Sequence, residues 1–325
     1  MNFPRLIARS VVALTLPFLA LHAAPPPVQS VHITILSTML AGDPMFKGIG
    51  EWGFSALVEA DGHRLLFDTG LRPQTVLYNA RELGLDLSDI TDVILSHNHA
   101  DHIGGLLTLR REFAKKNPKA LSRVHVGRGI FWSRGPGDDG KEANAAIALK
   151  AAYEATGGVF IEHDKPEEVA PGVWLTGPIT RTHPEKNFGT SGKVLTPTGW
   201  TEDTIPEDSA LVLDTTRGLI VLTGCGHAGA INTLAYARRA IRDVPIDAAI
   251  GGFHLLTSDD EALAWTSAQL RTLEVRHLLA AHCTGLEATY RLRERGGFTR
   301  ATALVAAVGA SYDSTKGITS LYLAR

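Results

Sequence analysis

Apolar and polar positions follow two periods along this chain, and together they divide it into strand and helix units. The run VHITILSTML reads as a first strand, and SALVEADGHRLLFDTG places two apolar runs on either side of Asp61-Gly62, the turn signal of a β-hairpin. In PQTVLYNARELG the apolar residues recur at helical spacing and stop at a glycine. ITDVILS is then a short buried strand, and GGLLTLRREFAKKNP a helix ending at proline. Residues 129–207 lack a sustained period; a short helix is expected around EANAAIALKAAYEA, with strands around GVFIEH and GVWLTGPI. Regularity returns with the hairpin SALVLDTTRGLIVLTGC, the helix INTLAYARRAIRD, the strand IDAAIGGFH, the helix DEALAWTSAQLRTL and the buried strand VRHLLAAHC. The two halves echo each other: a hairpin, a strand end bearing histidine, then a helix. This alternation predicts an α/β architecture, without a short-period repeat.

The N-terminus breaks the pattern. Arg5 and Arg9 precede the apolar VVALTLPFLAL and the small, proline-rich HAAPPPVQS, the layout of a secretory signal peptide over residues 1–24. Its apolar core is about half the ~20 residues that a bilayer crossing needs, so an exported, periplasmic protein without a permanent membrane span is expected. Residues 30–325 are read as a single catalytic domain. Of the 325 residues 44% are hydrophobic and 20% charged, enough for a sizeable core. A net charge of −2 with dispersed basic residues excludes nucleic acid as a partner and leaves a small molecule; oligomeric state stays open. Cys225 and Cys283 are the two cysteines. Both sit inside histidine-bearing motifs, which favours free thiols beside a metal over a disulfide.

Chemistry concentrates in SHNHADH, residues 96–102, directly after a buried strand. An H-x-H spacing in extended chain brings His97 and His99 to one side, while Asp101 and His102 turn toward a neighbouring point. Gly104 and Gly105 let the next helix start close by. Strand ends in open α/β sheets are where sites form, and three further strand ends carry candidates: Cys225 and His227 in LTGCGH, His254 in GGFH, and His282 with Cys283 in AAHCTG. His227 and His282 are read as metal ligands. Cys225 and His254 are read as metal or substrate contacts.

These residues carry a resemblance. SHNHADH looks like the H-x-H-x-D-H motif of the metallo-β-lactamase superfamily. The segments WGFSALVE, LFDTG, NARELGLDLSDITDVILSHNHADHIGGL, LTGCGHAGAINTL, IGGFHLL and AHCTG are similar to its branch named for 7,8-dihydropterin-6-methyl-4-(β-D-ribofuranosyl)aminobenzene 5′-phosphate synthase. The resemblance implies a four-layer αββα sandwich with metals at the edge of two sheets, and it makes Asp68 the aspartate that supports the metal loop. One departure stands out, since Cys225 occupies the place where many dinuclear members have a bridging aspartate. A thiolate there suits zinc or iron better than two harder ions. His183, in RTHPE, is read as a surface residue rather than as the superfamily's remaining histidine.

The expected activity is metal-dependent hydrolysis of an ester, lactone or phosphoester-like small molecule. His97, His99 and His227 are expected to hold one ion, and Asp101, His102 and His282 a second. Asp101 serves as base if only one ion binds. Zinc is the expected metal, with iron or manganese as alternatives, and a bound ion brings the pKa of water from 15.7 to about 7. Two other readings fit the same residues: synthase, transferase or redox chemistry at an iron or zinc site, and a non-catalytic periplasmic metal- or ligand-binding protein. GPGDDGKE, residues 135–142, mimics a phosphate loop, but Glu142 stands where a hydroxyl must ligate magnesium. Trp52, Trp132 and Trp200 lie in Gly- or Pro-rich stretches and are candidates to line a cleft.

Overall fold

A computed structural model of the chain describes residue 1 and residues 26–43, 48–135, 141–187 and 192–320. The leader read at the N-terminus falls outside these apart from Met1, and among the described residues no helix is long and apolar enough to cross a membrane.

Two sheets stack face to face. The first runs Gly317–Thr319, Ser311–Asp313, Val31–Ser37, Ser55–Ala60, His63–Phe67, Asp92–Leu95, Arg123–Gly127, Val159–His163. The second runs Ala303–Val305, His277–Ala280, Ile246–Gly251, Gly218–Thr223, Ala210–Thr215, Val173–Leu175, Glu167–Ala170. A separate hairpin joins Lys193–Thr196 to Gly199–Glu202.

The strands read as apolar runs because both of their faces are covered. Side chains alternate across a strand, so Ile33, Val58, Phe67, Leu211, Leu222 and Ile250 meet between the sheets. The alternate residues Leu36, Leu57 and Leu66 face outward onto helices Thr75–Glu82, Leu106–Phe113 and Ala145–Glu154. On the other side Val212, Leu219 and Val221 face helices Ala230–Ala240, Asp260–Thr272 and Leu286–Gly296. The result is the αββα sandwich that the resemblance implies.

Register then places the site. Thr223 pairs with Gly251, and Gly251 with Ala280, in parallel strands that end on one row. Cys225 lies two residues past that row, His254 three and His282 two, so the chain delivers all of them to one edge. In the other sheet Asp92–Leu95 pairs parallel to its neighbours and hands Ser96 and His97 to the same edge.

Candidate metal centre

His97 follows its strand by two residues, His99 caps the short helix Ala100–Ile103, and Asp101 and His102 lie on that helix. The His97 ring centroid is 4.6 Å from that of His99 and 4.7 Å from that of His227, and His99 and His227 are 4.8 Å apart. The ligating atoms of these three residues form one compact group. Asp101, His102, Cys225 and His282 form a second. In it His102 Nε2 lies 3.1 Å from Cys225 Sγ, and His282 Nε2 lies 3.1 Å from Asp101 Oδ2. His254 joins neither group; its ring is 4.6 Å from that of His227, and it clusters with Cys225 and Cys283.

The outer nitrogens of three histidines are fixed by the fold. Asp68 Oδ2 sits 2.7 Å from His102 Nδ1, Ser96 Oγ 2.9 Å from His97 Nδ1, and the Asn187 carbonyl 2.7 Å from His227 Nδ1. Asp68 also accepts from the Ser96 amide and hydroxyl, each at 2.8 Å. Such partners orient an imidazole and fix its tautomer. The inward nitrogens of His97 and His227 have no such partner: both Nε2 atoms, with His282 Nδ1, are buried without a hydrogen bond among the described residues, and His282 Nε2 meets only the Asp101 carboxylate. Leaving buried polar atoms unpaired costs about 1–3 kcal/mol each, and a cation shared by His97 and His227 satisfies both of their Nε2 atoms at once. The donor set therefore fits a divalent metal.

Backbone geometry supports the same point. Asp68, His254 and His282 all take left-handed φ values, 52°, 47° and 45°. Non-glycine residues hold such angles at functional sites, at about 1–3 kcal/mol each. Gly224 must lack a side chain, because a Cβ there would overlap Ser96 Oγ and Asp68 Oδ2.

Protonation follows from burial. Desolvation, reinforced by neighbouring imidazoles, drives the pKa values of His97 and His227 well below the ordinary 6.5. His99 falls to about 4, chiefly through burial, although Asp101 pulls the other way. Neutral imidazole is the form that binds metal. At His102 burial also disfavours charge, but Asp68 and Asp101 outweigh it and raise the pKa to about 9. For Asp101 burial is outweighed by His102, His282 and His99, which hold the carboxyl well below its usual range. The second group is thus built to stabilise positive charge.

A cavity of about 280 Å³ opens over these groups, with Trp52, Leu71, His99, Asp101, His254 and His282 in its wall. A larger one of about 550 Å³ meets it at His254 and is bounded by Lys186, Leu255 and Trp265. Of the three tryptophans singled out, Trp52 lines the metal cavity, its ring 4.8 Å from that of His282. Trp132 instead packs over Gly129, and Trp200 stands half-exposed on the 193–202 hairpin. His183 is half-buried against Trp265, ring centroids 5.8 Å apart, and is outside the three ligand clusters. Glu142 accepts from the amides of Arg134 and Asn144, a turn brace, while residues 136–140 of that motif lie outside the described residues.

The middle of the chain contributes more than its weak periodicity suggests, since Asn187 holds His227. Glu51 was also beyond the sequence reading. Its carboxylate takes the Leu71 and Arg72 amides at 3.1 and 2.9 Å and so fixes one wall of the cavity. Its only outward signal is an acidic residue beside Trp52 in a glycine-rich loop.

With this fold and site in view, the chain belongs to the metallo-β-lactamase superfamily, whose description matches residues 53–239. It is 30% identical over 277 residues to the 7,8-dihydropterin-6-methyl-4-(β-D-ribofuranosyl)-aminobenzene-5′-phosphate synthase of Methanocaldococcus jannaschii, covering 80% of this chain and 90% of that protein. Among solved structures it resembles Tm1679, described as a metal-dependent hydrolase of the β-lactamase superfamily, with 27% identity, TM-score 0.67, and coverage of 86% and 98% of the two chains. Zinc-bound PqqB from Methylobacterium extorquens shares the fold at 15% identity and TM-score 0.53, over 86% of this chain and 99% of that one.

Proposed function

We propose that this chain is a metal-dependent hydrolase of a small ester, lactone or phosphoester. The observation that carries the reading is the set of orphaned, buried nitrogens on His97, His227 and His282, the last two of which line one cavity. The likeness to Tm1679, described as a metal-dependent hydrolase, supports it. His97, His99 and His227 would hold one ion; Asp101, His102 and His282, with Cys225, would hold a second, and zinc suits both sets best. An ion in such a site polarises water and a substrate oxygen and offsets charge that develops during reaction. With only the first ion bound, Asp101, whose carboxylate lines the cavity, would instead accept a hydrogen from water and aim the oxygen at substrate. Ser96, Asp68 and Asn187 keep the imidazoles in one orientation, and Trp52 and Leu71 exclude bulk water from one side.

A second reading is group transfer, favoured by the 30% identity to a synthase. We rank it below hydrolysis because residues 1–24 have the layout of a secretory leader, and an exported chain would not meet a cytosolic pterin precursor. One experiment separates the two. Protein freed of metal by chelation and reloaded with zinc is assayed on ester, lactone and phosphoester panels. Metal-dependent release of the free acid or alcohol supports hydrolysis. Inactivity across all panels, with turnover appearing only when an acceptor is added, overturns it.

A further inference from the structure

We propose that Cys225, His254 and Cys283 form a distinct soft-cation site, which takes a thiophilic d10 ion such as Cu⁺ ahead of the histidine-rich groups beside it. The three side chains come from three neighbouring strand ends, and their ligating atoms lie within 4.8 Å of one another. The two sulfurs are 3.3 Å apart and unbonded, both thiols are buried, and Cys283 is fully so. His254 completes the set with an imidazole whose Nδ1 is buried and lacks a hydrogen-bond partner among the described residues.

Two backbone features hold the set together. Gly252 allows the close approach, because a Cβ there would lie 2.9 Å from Cys283 Sγ. His254 holds a left-handed φ of 47° just past its strand, at the point where its imidazole joins the two sulfurs. Access exists too, since all three residues line the same 280 Å³ cavity.

Chemistry distinguishes this set from its neighbours. Thiolates select Cu⁺ and zinc, whereas imidazole and carboxylate sets accept harder divalent ions. The first group has no sulfur, the second has one, and this set has two. Binding is balanced by protons: each thiol that ligates releases one to solvent. Cys225 belongs to both the second group and this one, so an ion here draws that sulfur away from the second group.

The test uses the full chain, reduced and anaerobic, loaded with one equivalent of Cu⁺. Copper-edge X-ray absorption should show a first shell with two sulfurs and one nitrogen. Cys283→Ser should lower Cu⁺ affinity at least tenfold in competition with a chromophoric chelator, while the amount of zinc the protein binds at its histidine groups is unchanged. The variant with His97→Ala and His99→Ala should retain the Cu⁺ site, which separates failure here from failure of the hydrolase reading. A copper shell without sulfur, or Cys283→Ser binding Cu⁺ as tightly as the unaltered protein, overturns the proposal. If circular dichroism shows Cys283→Ser unfolded, the wild-type absorption spectrum decides alone.

Discussion

Asp68 Oδ2 stands 2.7 Å from His102 Nδ1, with both side chains fully buried. One carboxylate thereby ties a strand end of the first sheet to an imidazole whose other nitrogen faces Cys225 of the second. Asp68 also receives two bonds from Ser96, so it fixes the start and the end of the SHNHADH loop together.

That double role predicts the effect of Asp68→Asn. Asparagine tolerates the left-handed backbone but carries no charge for His102. Loss of such an outer partner typically costs 10–100-fold in metal affinity. Chelator competition should show that loss, and the unfolding midpoint of the metal-free protein should also fall, since a fully buried His102–Asp68 pair loses its charged partner. Unaltered affinity would remove Asp68 from the positioning role.

Gly224→Ala should cost about 1–3 kcal/mol, the usual penalty for overpacking, because the new methyl meets Ser96 and Asp68. Urea unfolding of the metal-free protein reads this out, and metal affinity should fall with it.

Away from the metals, Asp92 sets part of the acid limb of stability. Burial disfavours its charge, but bonds from His125 Nε2 at 3.0 Å and Arg123 at 2.7 Å outweigh burial and hold its pKa below the ordinary 3.8. The unfolded chain therefore takes up this proton at higher pH than the folded one. The stabilisation is complete above the unfolded pKa and is lost as pH falls through the folded value. Asp92→Asn should be less stable at neutral pH and show a shallower decline on acidification, measured by urea midpoints across the acid range.

Trp52 is 45% exposed, so its removal should spare stability. Losing an aromatic wall worth on the order of 1 kcal/mol should raise KM several-fold for Trp52→Ala on whichever substrate the panels identify, with kcat changed less. A fall in kcat alone would instead place Trp52 in positioning His282.

Much of this was legible because it rests on periodicity and residue type. Strands such as Gly218–Thr223 announce themselves by apolar residues on both faces, and a histidine after a strand end marks the site edge. The convergence of His97, His99 and His227 is between sheets: the strands Asp92–Leu95 and Gly218–Thr223 belong to different sheets and end at the same edge of the sandwich. Other parts carry no such signal. The strands Ala303–Val305, Ser311–Asp313 and Gly317–Thr319 have three residues each, too short for a period, and owe their existence to distant partners. Helix Leu286–Gly296 buries little beyond Ala288, Thr289 and Leu292 in a charged sequence. Asn187 acts through its backbone carbonyl, which every residue type possesses.

Metal stoichiometry by mass spectrometry, on protein purified without added metal, bears on the site as a whole. Wild-type chain should carry bound transition metal, and the variant with His97→Ala and His99→Ala should carry at least one ion fewer per chain. Equal metal content in the two proteins would contradict a shared ion among His97, His99 and His227.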